Sequence, residues 1–264
     1  MKIVFPELAT SSIAAEAVAA FPDIEWLSAT SLAAAAELVA TSEADSMISG
    51  LDYPSRDVIL AYKSHLPLKS QFFSSCFICQ KNATHLTIAD GGVIKHPTAE
   101  QLYTIIEDTT FTHQQYFHES PRIAVLSYST HGSGGKDPDL TRLHQAISEI
   151  RAAHPSWLID GEMQLDAAIS PTVAAKKLPD SPLKGQANIL ITPDLNSGNI
   201  LYKSLEQFGG FTIAGPIIQG FKMPLADLSR GSTTKDIILT INVIRMLLSR
   251  DHTRQRERNE RGAP

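Results

Sequence analysis

The sequence Arg122-Ile-Ala-Val-Leu-Ser-Tyr-Ser-Thr-His-Gly-Ser-Gly-Gly-Lys-Asp137 joins a short apolar run to a glycine-rich polar turn. The run from Arg122 to Ser127 is typical of a buried strand. A helical pattern begins directly after the turn, at Pro138, and continues to Ala153. This unit of strand, loop and helix predicts an α/β fold, because a helix that follows a strand covers one face of a sheet.

The same alternation of short apolar runs and longer amphipathic runs extends along the chain. Strand candidates are Lys2 to Phe5, Ile24 to Leu27, Ser46 to Ser49, Phe72 to Cys79, His85 to Ala89, Arg122 to Ser127, Trp157 to Asp160, Asn188 to Thr192 and Phe211 to Ala214. Helix candidates are Ser12 to Phe21, Ser31 to Ala40, Arg56 to Leu66, Thr98 to Phe117, Pro138 to Ala153, Asp166 to Lys177, Asn196 to Phe208 and Thr233 to Leu248. The pattern predicts a largely parallel sheet with helices on both faces.

The composition limits the classes of protein to consider. The 264 residues are 43% hydrophobic and 19% charged, which suits one large or two modest globular domains. The net charge of -5 argues against nucleic acid as a partner, because binding a phosphate backbone needs clustered Lys and Arg. No apolar run reaches the length of a bilayer span, and Met1 to Glu7 lacks the apolar region of a signal peptide, so we expect a cytoplasmic protein.

The two cysteines of the chain, Cys76 and Cys79, have the C-x-x-C spacing found in redox and zinc sites. Their surroundings are β-like, however, and residues three apart in a strand point to opposite faces. We therefore predict core or near-site thiols, no metal ligands and no cofactor.

Three polar, glycine-containing turns follow predicted strands. They are Ser127 to Asp137, Pro193 to Asn199 and Gly215 to Gly220. In open α/β sheets, ligands bind outside the carboxyl ends of the strands, so we expect these turns to lie near a site. The first turn lacks the G-K-[ST] ending of a phosphate-binding P-loop and does not match G-x-G-x-x-G, so it does not indicate a nucleotide site.

The segment Asp227-Leu-Ser-Arg-Gly-Ser-Thr-Thr-Lys-Asp236 places an arginine and a glycine directly before a helix. A helix N-terminus carries partial positive charge, and a guanidinium binds phosphate oxygens in pairs, so the segment predicts an anion site. A structural interpretation stays open beside it. Thr233 and Asp236 have the spacing of a capping box, in which the acid only accepts the backbone N–H of the cap.

The order of several motifs resembles the phosphate acetyltransferase family, also called phosphotransacetylases, which includes the phosphate butyryltransferases. The resemblance covers roughly Ala44 to Leu248. The matching segments are Glu43 to Gly50, Pro97 to Leu102, Pro121 to Thr130, Ile159 to Ala168, Lys177 to Gly185, Thr192 to Lys203, Gly215 to Gly220 and Asp227 to Gly231.

The resemblance implies direct transfer of an acetyl group between acetyl phosphate and coenzyme A in a ternary complex, without a metal. It implies a homodimer and a two-lobed αβα fold like that of isocitrate and isopropylmalate dehydrogenases, with the site in the cleft between the lobes. The first lobe would comprise residues 1–66 and 218–250, the second residues 67–217, and residues 251–264 would form a charged flexible tail.

Carried onto this sequence, the resemblance assigns Asp236 as the base, Arg230 as the phosphate and oxyanion clamp, and Ser229 as a nearby hydrogen-bond donor. Residues predicted to bind phosphate, substrate or CoA are Ser129, Thr130, Gly132, Ser133, Gly134, Asn199, Lys203, Gln219, Gly231 and Arg56. Each also has a structural interpretation: an ordinary strand-to-helix turn for the glycine loop, and solvated helix or surface positions for Asn199, Lys203 and Arg56. His131 lies in the glycine loop, but the resemblance does not require a histidine there.

The chain also departs from the family pattern. The stretch before Ala44 is shorter than in the family, and the lead-in to the Asp227 motif reads Met223-Pro-Leu-Ala226. Three alternatives therefore stay open: a catalytically impaired relative that binds CoA or acyl phosphate, an acyltransferase for butyryl or propionyl phosphate, and a metal-dependent decarboxylating dehydrogenase. The last needs a cluster of acidic ligands that the sequence does not show.

Overall fold

The computed structural model describes residues 1–261, and the side chains of residues 1–249. The strands are β1 Lys2–Val4, β2 Glu25–Leu27, β3 Ser46–Ser49, β4 Ser74–Lys81, β5 Thr84–Ala89, β6 Arg122–Leu126, β7 Leu158–Met163, β8 Ile189–Ile191, β9 Thr212–Gln219 and β10 Leu225–Asp227. The α-helices are α1 Ser12–Val18, α2 Leu32–Ala40, α3 Ser55–His65, α4 Ala99–Phe117, α5 Pro138–Ala153, α6 Leu165–Ile169, α7 Pro171–Lys177, α8 Leu195–Gln207 and α9 Thr234–Arg261. A 3-10 helix, Pro6–Ala9, follows β1.

The chain divides into two compact units. Unit 1 is discontinuous and comprises Met1–Gln71 with the chain from Thr212 onward, and unit 2 is Phe72–Phe211. The two lobes that the family resemblance implies have bounds at 66 and 217, and that division stays a prediction.

Unit 1 contains strands in the order β2-β1-β3-β10-β9. The pairs from β2 to β10 are parallel, and β9 runs antiparallel to β10. Apolar side chains of β1, β3 and β9 and of α1 and α9 are buried, among them Ile3, Met47, Ile213, Ala17 and Ile241. Because β1, β3 and β10 are parallel, the residues that follow them meet at one edge of the sheet.

Unit 2 contains strands in the order β4-β5-β8-β6-β7. β4 and β5 form an antiparallel hairpin, and the pairs from β5 to β7 are parallel. The glycine loop after β6 and the polar turn after β8 therefore leave the sheet at its carboxyl edge. The expected fold class, a largely parallel sheet with helices on both faces, is confirmed.

Local signals account for several boundaries. Thr98 and Gln101 form a capping box at the start of α4, with Gln101 N donating to Thr98 Oγ1 at 3.2 Å and Thr98 N to Gln101 Oε1 at 2.9 Å. The single helix predicted from Asp166 to Lys177 is wrong. It is two helices, because Pro171 disfavours helical geometry at Ser170 and that serine caps α7 instead.

Unit 1 departs from the predicted elements in two further places. The sequence predicts that β9 ends at Ala214, since a proline such as Pro216 normally argues against a strand interior. In the structure β9 continues to Gln219. β10, Leu225-Ala-Asp227, is missing from the sequence prediction because it contains no β-branched or aromatic residue, unlike the equally short β1, β2 and β8. Its pairing with both β3 and β9 makes it part of the sheet.

The C-terminal helix α9 runs to Arg261, so its backbone continues through most of the segment predicted as a charged tail. Residues 262–264 of that segment lie outside the described residues, and the tail stays a prediction. Within the part of the chain that the structure describes, no helix combines the length and apolar character needed to cross a bilayer.

Candidate functional site

The turn between β10 and α9 carries the arginine of the predicted anion motif. Ser232 N donates to the Ser229 carbonyl at 2.9 Å, and Gly231 N donates to Ser229 Oγ at 3.2 Å, so Ser229 closes the turn through both its backbone and its side chain. Arg230 and Gly231 are exposed. No described carboxylate forms an ion pair with Arg230, so its guanidinium is available to an anion from solvent.

Asp236 lies in the first turn of α9 and is 6% exposed. Its Oδ2 accepts hydrogen bonds from Thr233 N at 2.8 Å and Thr233 Oγ1 at 2.6 Å, while Asp236 N donates back to Thr233 Oγ1 at 3.3 Å. Its Oδ1 accepts from Ile213 N at 3.0 Å. The capping box is therefore formed. A carboxylate has about four acceptor sites, so these three donors leave one of them open.

A second carboxylate, Asp227, lies at the end of β10, two residues before Ser229. It is 1% exposed, and neither of its oxygens has a partner within hydrogen-bonding distance among the described residues. Burial raises the pKa of Asp227 to about 7, the negative charge of Glu7 adds to this rise, and the nearby Ser55 hydroxyl opposes it. Asp227 is thus a buried acid that is partly protonated near neutral pH.

Glu7 is also buried, and its carboxylate accepts from three donors of the turn after β3. Its Oε1 accepts from Gly50 N at 2.7 Å, from Leu51 N at 3.0 Å and from Ser49 Oγ at 3.0 Å. Gly50 has φ +116°, and a Cβ there would lie 2.4 Å from the Leu228 carbonyl oxygen. The position therefore requires glycine, and Glu7 fixes the turn that lies against the start of the anion motif.

In unit 2, the glycine loop is built around Glu162, which lies near the end of β7 and is fully buried. Its Oε1 accepts from Ser129 Oγ at 2.7 Å and from Gly132 N at 2.7 Å, and its Oε2 forms a short contact with His144 Nε2. Burial acts to raise the pKa of Glu162, but the hydrogen bonds from Gly132, Ser129 and His144 outweigh it and lower the pKa to about 2. Glu162 is therefore ionised at neutral pH.

The remaining loop residues form a network among themselves. Gly134 N donates to Ser129 Oγ at 2.8 Å, Thr130 N donates to Ser133 Oγ at 2.9 Å, and Thr130 Oγ1 accepts from Gln164 N at 3.2 Å. Ser129 is buried, whereas Gly132, Ser133 and Gly134 are exposed. The exposed hydroxyl of Ser133 is thus better placed than that of Ser129 to meet a ligand.

A second pair connects the loop to β7. His131 Nε2 lies 3.2 Å from Asp160 Oδ1, and Arg151 Nη2 lies 3.0 Å from the same oxygen. His131 has a left-handed backbone, φ 44°, and its N–H donates to the Glu162 carbonyl at 3.0 Å. His131 is therefore already paired with a carboxylate.

The other predicted binding residues of unit 2 lie on α8. Asn199 Nδ2 donates to the Gly91 carbonyl at 3.3 Å, which connects α8 to the turn after β5. Asp90 holds that turn: its carboxylate accepts from Gly92 N at 3.0 Å and from Ile94 N at 2.8 Å. Lys203 Nζ pairs with Glu206 Oε2 at 3.1 Å. These contacts connect Asn199 to the turn after β5 and Lys203 to its own helix.

The structure therefore brings the predicted residues together in two groups, one within each unit. Ser229, Arg230, Gly231 and Asp236 share one short segment of unit 1. The predicted loop residues Ser129, Thr130, Gly132, Ser133 and Gly134 share one loop of unit 2. Arg56 is an exposed residue in the first turn of α3, and Gln219 is a buried residue that ends β9.

Sequence reasoning missed the roles of four acidic residues: three hold turns through hydrogen bonds, and the fourth, Asp227, is buried without a partner among the described residues. They are Glu7, Asp90, Glu162 and Asp227, all buried and all at or just beyond the carboxyl end of a strand. The available signal was a lone acidic residue at a strand end, since a buried charge there must find hydrogen-bond donors or take up a proton.

Metal ligation has no support among the described residues, where no group of three or more His, Cys, Asp or Glu side chains could hold an ion. Cys76 and Cys79 are free and buried. Burial raises the pKa of both thiols, and Asp90 adds to the rise at Cys76. Both are core thiols, as the sequence predicts.

Two compact α/β units, one with an arginine turn before a capped helix and one with a glycine loop, define the class of protein. The model of the phosphate acetyl/butaryl transferase family matches residues 22–244. The chain belongs to that family.

Individual relatives agree with this result. The chain is 38% identical over 215 residues to a phosphate acetyltransferase from Treponema pallidum and 39% identical over 208 residues to one from Corynebacterium glutamicum. These matches cover 77% and 78% of this chain, but 64% and 63% of the relatives. The chain thus spans a little under two thirds of the length of these curated relatives.

A solved phosphotransacetylase from Streptococcus pyogenes superposes with a TM-score of 0.84 at 28% identity. The match covers 95% of this chain and 94% of that chain. The similarity of fold therefore extends over nearly the whole of both chains.

Proposed function

We propose that this chain transfers an acyl group, acetyl in the first instance, between an acyl phosphate and CoA and releases inorganic phosphate. The observation that carries the proposal is the exposed Arg230 on a serine-closed turn, six residues before the carboxylate of Asp236 at the start of α9. Family membership supports it. CoA is a substrate in this scheme, and no cofactor takes part.

In the proposed reaction, the CoA thiol loses its proton to Asp236 through the acceptor site that the capping box leaves open. The thiolate attacks the acyl carbon, and the bond from that carbon to the phosphate oxygen breaks. Arg230 neutralises the charge on the departing phosphate and on the acyl oxygen, and the Ser229 hydroxyl adds a hydrogen bond. No covalent intermediate with the protein is needed.

The proton transfer is the most demanding step for these residues. A thiol has a pKa near ~8.5 and an ordinary aspartate one near ~3.9, so a carboxylate is a weak base for a thiol. Asp236 contributes by position, since it is held by Thr233 and Ile213 and cannot rotate away. Preorganisation of this kind lowers the barrier to proton transfer.

In unit 2, we propose that the glycine loop contacts substrate through Ser133 and its exposed backbone, with Thr130, Gly132 and Gly134 shaping that surface. Lys203, Asn199, Gln219 and Arg56 stay predictions as binding residues. Homodimer assembly and a cytoplasmic location also stay predictions of the sequence.

The test is thioester formation by purified protein from CoA and acetyl phosphate, followed by absorbance, in buffer with a chelator and with no added metal. We expect thioester to form. Parallel assays with propionyl and butyryl phosphate determine the preferred acyl-chain length. They are needed because the matched family includes transferases named for both acetyl and longer acyl groups. No thioester with any of the three would favour the impaired, ligand-binding relative.

A further inference from the structure

The glycine loop of unit 2 surrounds a buried carboxylate, that of Glu162. Glu162 receives the loop N–H of Gly132, the hydroxyl of Ser129 and the ring of His144 on one carboxylate. Its own carbonyl receives the N–H of His131. Four donors from two segments, the loop and α5, thus meet at one fully buried residue of β7.

The network fixes the direction of the Ser129 hydroxyl. Ser129 Oγ accepts from Gly134 N at 2.8 Å, so its proton points to Glu162 Oε1 at 2.7 Å. Ser129 therefore connects the carboxylate to a second loop amide, that of Gly134. Through these bonds Glu162 constrains both Gly132 and Gly134. Gly132 has φ +85°, a conformation that glycine adopts without strain.

The loop amides at Gly132 and Gly134 are consequently occupied before any substrate arrives. Ser133 is exposed and its Oγ accepts from Thr130 N, and the amides of Gly132 and Gly134 hold this residue and the exposed backbone around it in place. Charge-assisted hydrogen bonds are shorter and stronger than neutral ones, so an ionised carboxylate holds such a loop more rigidly than an amide or hydroxyl would.

We propose that Glu162 is a positioning residue for substrate binding: it holds the glycine loop in its binding shape through Gly132, Ser129 and His144, and it does not contact substrate. This inference rests on the proposed function only in treating the loop as part of the substrate site. It predicts that removing the charge of Glu162 loosens the loop and weakens substrate binding more than it slows the chemical step.

The experiment compares four purified full-length proteins: wild type, Glu162→Gln, Ser129→Ala and the control Glu149→Gln. Gln keeps the size of Glu162 and an acceptor oxygen, but it removes the charge. Ser129→Ala removes the connection to Gly134, the contact with Ser133 Oγ and one of the donors to Glu162, but it leaves the buried carboxylate in place. Glu149 is exposed on α5, where it accepts from Gln145, and the control removes a charge outside the loop.

Three quantities are measured for each protein: hydrogen exchange of the loop amides 127–137, KM and kcat for both substrates, and the melting temperature. For Glu162→Gln we expect loop exchange to be faster and KM for at least one substrate to be higher, each by about tenfold, with a smaller change in kcat. Ser129→Ala should change exchange and KM in the same direction by less. Glu149→Gln should match wild type.

A purely structural role would lower kcat through loss of active protein and leave both KM values unchanged, and that result would overturn the proposal. If Glu162→Gln does not fold, Ser129→Ala decides: unchanged loop exchange and KM would overturn the proposal as well. If wild type itself forms no thioester, the proposed function fails, while loop exchange in the variants still shows whether Glu162 holds the loop.

Discussion

The anion motif of unit 1 and the glycine loop of unit 2 each lie over a buried carboxylate, and the two carboxylates have pKa values shifted in opposite directions. Asp227, beneath the motif, has no hydrogen-bond partner among the described residues, and burial raises its pKa to about 7. Glu162, beneath the loop, is buried too, but its donors outweigh burial and lower its pKa to about 2. Two similar side chains at strand ends therefore carry different charges at neutral pH.

The difference indicates a division of roles between the two regions. The motif of unit 1 leaves Arg230 exposed and one acceptor site of Asp236 open, so it retains groups that can act on a substrate. The loop of unit 2 directs its strongest interactions inward. We infer that chemistry lies with the motif and that the loop provides shape. Substitutions in the two regions test this division.

Replacing Asp236 with Asn tests whether the motif supplies a base. The change removes proton acceptance, so we expect turnover to fall by about 10²- to 10⁴-fold, the usual contribution of general base catalysis. It also weakens the capping box, at a cost of about 1 kcal/mol. The measurements are kcat and the melting temperature.

Near-normal turnover with earlier melting would make Asp236 a cap alone. Raising the assay pH provides a second check on the same variant. Turnover should recover as the CoA thiol ionises near ~8.5. Absence of recovery would mean that Asp236 positions the thiol and does not deprotonate it.

Replacing Arg230 with Gln removes the exposed cation of the motif. We expect kcat to fall by about 10²- to 10³-fold, the effect of losing one preorganised donor to a developing charge. The melting temperature should not change, because the side chain is exposed and unpaired with any described carboxylate. Lys235→Gln, an exposed cation five residues further on, is the matched control. Equal activity of both variants would place Arg230 outside the site.

Replacing Asp227 with Asn tests the unpartnered carboxylate through stability. The pKa of Asp227 in the folded protein is raised above its value in the unfolded chain. Its contribution to stability is therefore fully present below the unfolded pKa and is lost as pH rises through about 7. The free energy of unfolding of the variant should therefore rise relative to that of wild type by about 2–3 kcal/mol between pH 5 and pH 8. Urea unfolding across that range measures the gap, and a gap independent of pH would show that Asp227 ionises normally.

Glu162→Gln should show the opposite pH dependence and a smaller effect. Because the folded pKa of Glu162 is depressed, its contribution is present above its unfolded pKa and is lost as pH falls through about 2. We expect the variant to be less stable than wild type by about 1–3 kcal/mol at pH 7. The difference in unfolding free energy between variant and wild type should shrink by more than half at pH 3. A difference that does not change with pH would assign the lost stability to packing.

The sequence predicts the fold well where a signal is local. The run from Arg122 to Ser127 followed by a glycine turn and Pro138 gives strand, loop and helix, and the spacing of Thr233 and Asp236 gives the capping box that the structure contains. β10 is not predicted, because Leu225-Ala-Asp227 has no β-branched or aromatic residue and its strand is defined by its partners β3 and β9.

The site follows the same rule. The arginine turn and the glycine loop are continuous segments, so their residues can be found by reading along the chain. The role of Glu162 depends on the pairing of β6 with β7, which brings it beside Ser129 across 33 residues of sequence. Sequence spacing does not contain that register, and neither does it contain the difference in hydrogen-bond donors that separates Glu162 from Asp227 among the described residues.

The most direct test of direct acyl transfer is the exchange of labelled inorganic phosphate into acetyl phosphate, with and without CoA. Attack by the CoA thiolate on the acyl carbon releases phosphate only when CoA is present, so we predict label in acetyl phosphate with CoA and none without it. Label that enters without CoA would demand an acyl group on the protein itself. Absence of label under both conditions would contradict acyl transfer by this chain.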